Sequence, residues 1–352
     1  MAYTTVNKST AHHNTILWTG NTASTRSHTG VGFQPDLVWV KNRSTSSDHR
    51  LSCRVLAANG TGQHLVTNDS AAADGSSTAI TSLDADGFST GNEQSYNNNG
   101  SNHVAWCWKA AGAGSSNTDG SINTNSTSVN TTAGFSASVY TGNGTGNSTV
   151  GHGLGVAPRF IIIKNLSAVG LWGVKSDSYV SAANPNVLYM NNTAAESDDT
   201  NVFGTSAAFT STTFTIGTWA GSNTNTNDYL ALCWAEKSGF SKFGKYTGNG
   251  QSDGPFVFTG FKPAFLMVKS HIGTDNWIML DNKRSGYNSE NEHINPNGNA
   301  AESDGSGNID LLSNGFKIRS SFASLNWNGG SYIYMAFGQT MVGTNNTPAN
   351  AR

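Results

Sequence analysis

A set of short words recurs three times along the chain, in the same order. LWTGN (17–21), VYTGNG (139–144) and KYTGNG (245–250) each precede a proline-led apolar run: QPDLVWVK, APRFIIIK and KPAFLMVK. In every run the proline stands six residues before a lysine, pairing Pro35 with Lys41, Pro158 with Lys164 and Pro263 with Lys269. Then come DSAAAD (69–74), NTAAESD (192–198) and NAAESD (299–304), followed by DGFST, TTFTIG and NGFKIR. HVAWCWKA (103–110), YLALCWAEK (229–237) and YIYMAFGQ (332–339) close the three series. Pro158 and Pro263 stand 105 residues apart and Pro35 and Pro158 123, while Phe88 to Trp108 and Phe214 to Trp234 both span 20. Matching words that keep step are the mark of tandem units, and a repeat must be found before any motif is interpreted.

The units run over about 15–110, 137–238 and 243–340, and the longer first interval places an insertion between the first two. The expected division is a first β-sandwich unit over 1–110, a connector over 111–134, a second unit over 135–238, and a third over 239–352 that ends in a short tail. AGAGSSNTDGSINTNSTSVNTTAG, at 111–134, has the composition of a flexible or extended connector, with room for one strand.

The apolar runs LVWV, FIIIK, FLMVK, VAWCW, YLALCW and YIYMAF are short and rich in β-branched and aromatic residues, which suits strands buried on one or both faces. No segment keeps a 3.6-residue period over three turns. The fold class that follows is all-β: three tandem antiparallel β-sandwich units, jelly-roll-like, each with Trp or Phe at its centre. Three units in one chain can also pack around a pseudo-threefold axis, or three chains can trimerise.

Composition narrows the function. Charged residues make up 12% of the chain, against about 25% in an average domain. The formal net charge is −2, and no Lys/Arg cluster is interleaved with aromatics, so nucleic acid is not an expected partner. No apolar run approaches a membrane span, and MAYTTVNKSTAHHNT lacks the apolar core of a signal peptide. The expectation is therefore a protein folded in a cytoplasm, without membrane insertion. Three cysteines in 352 residues form no disulfide framework. Cys107 and Cys233 share a repeat position that Ala336 fills in the third unit, which describes a small buried site rather than a metal ligand.

The chemistry-bearing residues fit plainer roles. The glycines Gly142, Gly144 and Gly146 are spaced for turns, and no GK[ST] follows, so no phosphate loop is read. Asp84-Ala-Asp86-Gly87 opens like a calcium loop, yet Ser95 stands where the bidentate Glu belongs; a turn is expected. Glu196 and Glu302 match across two units, with Asp74 near the same place in the first, but no second carboxylate accompanies them. His12, His13, His28, His49, His64, His103, His152, His271 and His293 are scattered, as solvated or packing histidines are. Lys41, Lys164 and Lys269 read as snorkelling or edge-guarding lysines. No catalytic, cofactor-binding or metal residue is assigned, no cofactor is expected, and binding residues stay unassigned.

The opening MAYTTVNKSTAHHNTILWTGN, FQPDLVWVKNRS, VAWCWKA with SSNTDGSINT, TVGHGLGVAPRFIIIK, FSKFGKYTGNG, FVFTGFKPAFLMVK, LDNKR and YIYMAFGQT resemble a family of tailed-phage proteins common in aquatic phages and metagenomes. The resemblance extends over nearly the whole chain, including the terminal NTPANAR. It implies a virion structural protein made in the host cytoplasm, exposed on the particle and tail-fibre-like, with host adhesion as its task. Tandem β-domains would add length to such a fibre. The implied partners are other virion proteins of the tail or capsid, a host surface glycan, and further copies of the chain in a homo-oligomer, for instance a trimer. The runner-up role is a head-decoration or head-fibre protein on the capsid shell, and a third is a glycan-binding or glycan-cleaving surface protein. The first unit has His49 where the others have Trp172 and Trp277, and this divergence marks it as the expected attachment end.

Overall fold

The computed structural model describes residues 4–177, 186–205, 209–305 and 307–339; the tail expected at the end of the third unit lies largely outside them. Unit one contributes β1 (His13–Thr19), β2 (Arg26–Thr29), β3 (Leu37–Asn42), β4 (Arg50–Cys53), β5 (Gln63–Val66), β6 (Asp74–Gly75), β7 (Ile80–Asp84), β8 (Gly87–Thr90) and β9 (Asn102–Trp108). A one-turn helix, α1 (Gln94–Asn97), precedes the last of these. Unit two contributes β10 (Thr124–Asn130), β11 (Phe135–Thr141), β12 (Ser148–Gly151), β13 (Phe160–Asn165), β14 (Gly173–Ser176), β15 (Asn186–Tyr189), β16 (Ser197–Asp198), β17 (Thr213–Ile216) and β18 (Asp228–Trp234), with α2 (Thr200–Phe203) and α3 (Ala220–Asn223). Unit three contributes β19 (Ser241–Thr247), β20 (Phe256–Phe258), β21 (Pro263–Ser270), β22 (Ile278–Asp281), β23 (Ile309–Leu312), β24 (Gly315–Ile318) and β25 (Ser331–Gly338), with α4 (Ala323–Asn326) before the closing strand.

The chain is nearly all β, and every pairing between these strands is antiparallel. Each unit holds one large and one small sheet. The large sheets run β1-β9-β3-β4-β5-β6, β10-β11-β18-β13-β14-β15-β16 and β19-β25-β21-β22; the small ones run β2-β8-β7, β12-β17 and β20-β24-β23. With the added β10 set aside, the last strand of each unit lies between the first and the third, and the second crosses to the small sheet, as in a jelly roll. The likeness stops at β4, β14 and β22, which return beside the third strand as hairpins instead of crossing over. The segment expected as a connector supplies β10, which extends the second large sheet by pairing with β11.

Side chains alternate across a strand, so each large sheet has two faces to bury. One face packs on its own small sheet. Val38, Val40, Ala105 and Cys107 meet Ile80 and Phe88 in unit one, Ile161, Ile163, Ala231 and Cys233 meet Val150, Phe214 and Ile216 in unit two, and Leu266, Val268, Tyr334 and Ala336 meet Val257, Leu311 and Phe316 in unit three. The other faces of all three large sheets merge into a fourth core, built from Trp39, Trp106 and Trp108, Phe160, Trp172 and Trp234, and Phe265, Trp277 and Phe337. Trp108 stands edge-on to Trp234 and Phe337, with ring centroids 6.2 and 5.7 Å away.

Phe88, Phe214 and Phe316 lie in the three sandwich cores, as the expectation of a central Trp or Phe had it, whereas the pleat turns Trp108, Trp234 and Phe337 to the shared core and Cys107, Cys233 and Ala336 inward. One expectation is corrected: the units do not string out to build length. Each would expose a large apolar sheet face if extended, and burying apolar area is the main favourable term in folding.

The TGN turn owes its glycine to a close approach. A Cβ on Gly20, Gly142 or Gly248 would stand 2.0, 2.4 or 2.3 Å from the carbonyl oxygen of Asn98, Thr224 or Trp327. The following amide donates to a buried asparagine that ends the short helix: Asn21 to Asn97, Asn143 to Asn223 and Asn249 to Asn326.

Candidate functional site

The residues that recur in the sequence converge on the junctions between units. Lys41, Lys164 and Lys269 are the next-to-last residues of β3, β13 and β21, and all three are fully buried. Each ammonium donates to a backbone carbonyl of a neighbouring unit: Lys41 to Asn299 at 3.3 Å, Lys164 to Ser70 at 3.0 Å and Lys269 to Thr193 at 3.2 Å. They also donate to local carbonyls, including Asn42, Gly170 and Ser270. The snorkelling reading is therefore replaced, because these lysines end against protein oxygen rather than in water. Burial pulls each ammonium down to about 8.

Three residues beyond each acceptor, the neighbour's chain returns a backbone bond. The amides of Ala73, Glu196 and Glu302 donate to the carbonyls of Leu166, His271 and Arg43, each two residues after the lysine, at 3.1, 2.7 and 2.9 Å. A third contact follows the same sense. The Trp172 indole donates to the carbonyls of Val66 and Asp69, the Trp277 indole donates to Tyr189, and His49 lies against the backbone of Asn295. Unit one thus reaches unit three, unit three reaches unit two and unit two reaches unit one. Three like contacts that close on themselves are a pseudo-threefold ring.

The side chains at the three junctions differ. Arg43 meets Glu302 with Nε 2.9 Å and Nη2 2.7 Å from carboxylate oxygens, and Nη2 also reaches Glu292 at 3.2 Å. His271 meets Glu196 at 2.8 Å through Nδ1 and Ser331 at 2.7 Å through Nε2. At the third junction Leu166 and Ala73 pack on the shared core. The carboxyl residue expected near this place in unit one, Asp74, is exposed on β6; Ala73 is the residue that matches Glu196 and Glu302.

Behind Glu302 lies a denser charged group that the sequence search missed. Arg284, fully buried, donates to Asp281 at 2.7 Å and Glu302 at 2.8 Å, and its guanidinium sits 5.7 Å above the Trp106 ring. The Trp106 indole donates to Asp281 across the junction at 2.9 Å. Burial opposes ionisation of Asp281, but the Arg284 charge and the bonds from Arg284, Trp106 and Lys283 outweigh it and hold the carboxyl below its ordinary range. Glu290, nearby, is pushed up to about 7 by burial. The lone pairs of Asp281 and Glu302 are occupied by guanidinium, indole and backbone amide donors, so the group works as an ionic lock. LDNKR stood in view in the sequence, and its pairing with Glu302 was hidden because it depends on contacts between distant segments.

Other singled-out residues fall into packing roles. Asp84 and Asp86 hold the β7–β8 turn: Asp84 accepts from Ser89, and Asp86 accepts the amides of Gly30 and Gly32. Cys107 and Cys233 are buried thiols pushed up by burial. Of the nine histidines only His12 is more than slightly exposed, so the solvated alternative fails for the rest. His13 stacks on Phe337 at 5.0 Å and His103 on Trp18 at 5.3 Å. Burial lowers His13 to about 3 and both His28 and His103 to about 4. Among the described residues no group of three or more His, Cys, Asp or Glu could hold a metal ion. Among them, too, no helix is long and apolar enough to cross a membrane.

A family model described as "Domain of unknown function (DUF7483)" matches residues 8–340, a span that takes in all three units. No curated protein matches, and no solved structure does.

Proposed function

We propose that this chain, which belongs to the DUF7483 family, is a surface-exposed structural component of a tailed-phage particle, and that its task is host adhesion as the compact knob of a tail-fibre-type assembly. The observation that carries this reading is the ring itself: three β-sandwich units closed on one another around a common core. A fibre tip must hold its loops rigidly at the end of a slender stalk, and trimeric fibres do so by packing three copies about an axis. Here one chain supplies that arrangement through its lysine, amide and indole contacts. A surface rich in Asn, Ser and Thr, with few charges, suits contact with sugars or with other coat proteins. The sequence resemblance to tailed-phage proteins points the same way.

Ring closure also favours a second reading, decoration of the capsid shell. A chain with three like faces fits a lattice point of threefold or quasi-threefold symmetry. Cryo-electron microscopy of intact particles separates the two. Copies confined to the tail, together with saturable binding of the purified chain to host cells, support the adhesion knob. Copies spread over the head lattice replace it with decoration, and particles that lack the chain altogether refute both.

A further inference from the structure

The pseudo-threefold relation lets three equivalent sheet edges be compared. β2, β12 and β20 are the outer strands of the small sheets, aligned through the partners Phe88, Phe214 and Phe316. In unit two this edge is covered by the chain's own segment. The Ile122 amide donates to the Thr149 carbonyl at 3.0 Å, the Thr149 amide donates to the Ser121 hydroxyl at 2.9 Å, and Ile122 forms a parallel bridge with Val150. Ile122 joins the sandwich core in doing so. In unit one the edge is polar, with Ser27 and Thr29 facing outward. In unit three the same two positions hold Phe256 and Phe258, 46% and 62% exposed.

The backbone at β20 is as available as its side chains. Val257 pairs with Phe316, and Pro255 and Thr259 bond to Ile318 and Asn314 on the same side. Phe256 and Phe258 therefore turn their N–H and C=O groups away from β24, toward the open edge. Natural proteins guard such edges with charge, Pro or a covering segment, and an unguarded apolar edge is a template for an added strand.

We infer that β20 accepts an extended strand from another polypeptide, whose backbone pairs with Phe256 and Phe258 and whose apolar side chains lie against their rings, as Ser121–Ile122 covers Thr149 in unit two. Area selects this occupant over a second globular copy. Aromatic side chains bury ~150–250 Å² each, so two half-exposed rings offer on the order of 200 Å², far below the ~800 Å² per partner of a stable globular interface. An extended segment gains its affinity from main-chain bonds and needs little area. Such an edge serves a neighbour on a particle or off it.

The test is a titration of the deuterated, ¹⁵N-labelled full chain with two acetylated peptides, NTDGSINTNS (residues 117–126) and TVTVTVTV, followed by NMR. Saturable shifts centred on the Phe256–Phe258 amides with a Kd below about 1 mM, abolished in Phe258→Pro, are expected. That substitution removes an outward amide and leaves the Val257–Phe316 pairing in place, and an unchanged melting temperature verifies its fold. Absence of those shifts with both peptides overturns the inference. A dimer in sedimentation that Phe258→Pro dissolves assigns the edge to a second copy and also overturns it. So does hydrogen-exchange protection at Phe256 and Phe258 that disappears when residues 340–352 are deleted, because the occupant is then the chain's own end.

Discussion

Arg43 and Glu302, 259 positions apart in sequence, form a two-bond guanidinium–carboxylate pair that joins unit one to unit three, with side-chain exposures of 13% each. Glu302 also serves Arg284, which has no exposed side-chain surface. Glu302→Gln leaves two guanidinium groups short of a counter-charge. Removing one partner of a buried pair destabilises by about 3–5 kcal/mol, and the partial exposure here places the expected loss near the lower end. Urea denaturation measures it, and a change below about 1 kcal/mol would show that water already compensates the pair.

The lysine contacts give a second expectation. Lys164→Met keeps the length of the side chain but strips donors from the carbonyls of Ser70 and Gly170. An unsatisfied buried carbonyl costs roughly 1–3 kcal/mol, so a drop of that order is expected in chemical denaturation. Lys164→Arg should recover only part of it, because the planar fork cannot retrace the bonds of a compact ammonium.

Gly20→Ala, Gly142→Ala and Gly248→Ala should each lower stability by about 1–3 kcal/mol, the usual range for overpacking, because the added methyl meets a backbone carbonyl that has nowhere to retreat. Gly305→Ala, with nothing within 4 Å of the added atom, is the matched control. Equal melting temperatures across the four variants would refute the close-approach account of the TGN turn.

Acid should weaken the fold in a defined window. His13 is neutral in the folded chain down to about pH 3, and His28 and His103 down to about pH 4, all because burial disfavours the imidazolium. Unfolded histidines titrate near 6.5, so below that pH the unfolded chain binds more protons than the folded one. Their contribution is complete above pH 6.5 and is lost as pH falls toward about 4 for His28 and His103 and about 3 for His13, with a slope of up to ~1.4 kcal/mol per pH unit per histidine. Urea midpoints at pH 7 and pH 5 test this. His13→Phe, which keeps an aromatic ring against Phe337 and Trp108, should flatten the slope; an unchanged slope removes His13 from the account.

The units should not survive separation. Residues 239–339 alone would expose Phe265, Met267, Trp277, Met279, Met335 and Phe337 to water, and the predicted result is aggregation or a molten state on expression. The whole chain should melt in one calorimetric transition. A soluble third unit with a sharp melt of its own would contradict the shared core.

The sequence made the repeats legible because local words, such as the TGN turn, are fixed by contacts within each unit. It also carried a hint of the ring. LVWV, FIIIK and FLMVK are apolar without alternation, and an antiparallel strand that hides both faces needs a layer on each side. One small sheet supplies only one layer, so the second had to come from the neighbours. The partners of Lys41, Glu302 and Arg284 were not legible, since they depend on how whole units meet. The asparagines Asn97, Asn223 and Asn326 carry little sequence signal for another reason: SYN, GSN and SLN share only one letter at the critical position, although each buries its amide.

Two of the ring's three joints lie between units that follow one another along the backbone, and the third brings together the first and last units. That joint alone has no short tether, and closing a loop of this length carries the largest entropic penalty of the three. It is also where Arg43, Arg284, Asp281, Glu302 and the Trp106 indole gather. The molecule resembles a bracelet whose strongest fastening is at the clasp. A circular permutant that moved the gap between units two and three would leave the His271–Glu196 contact to hold an untethered seam, and would open there first.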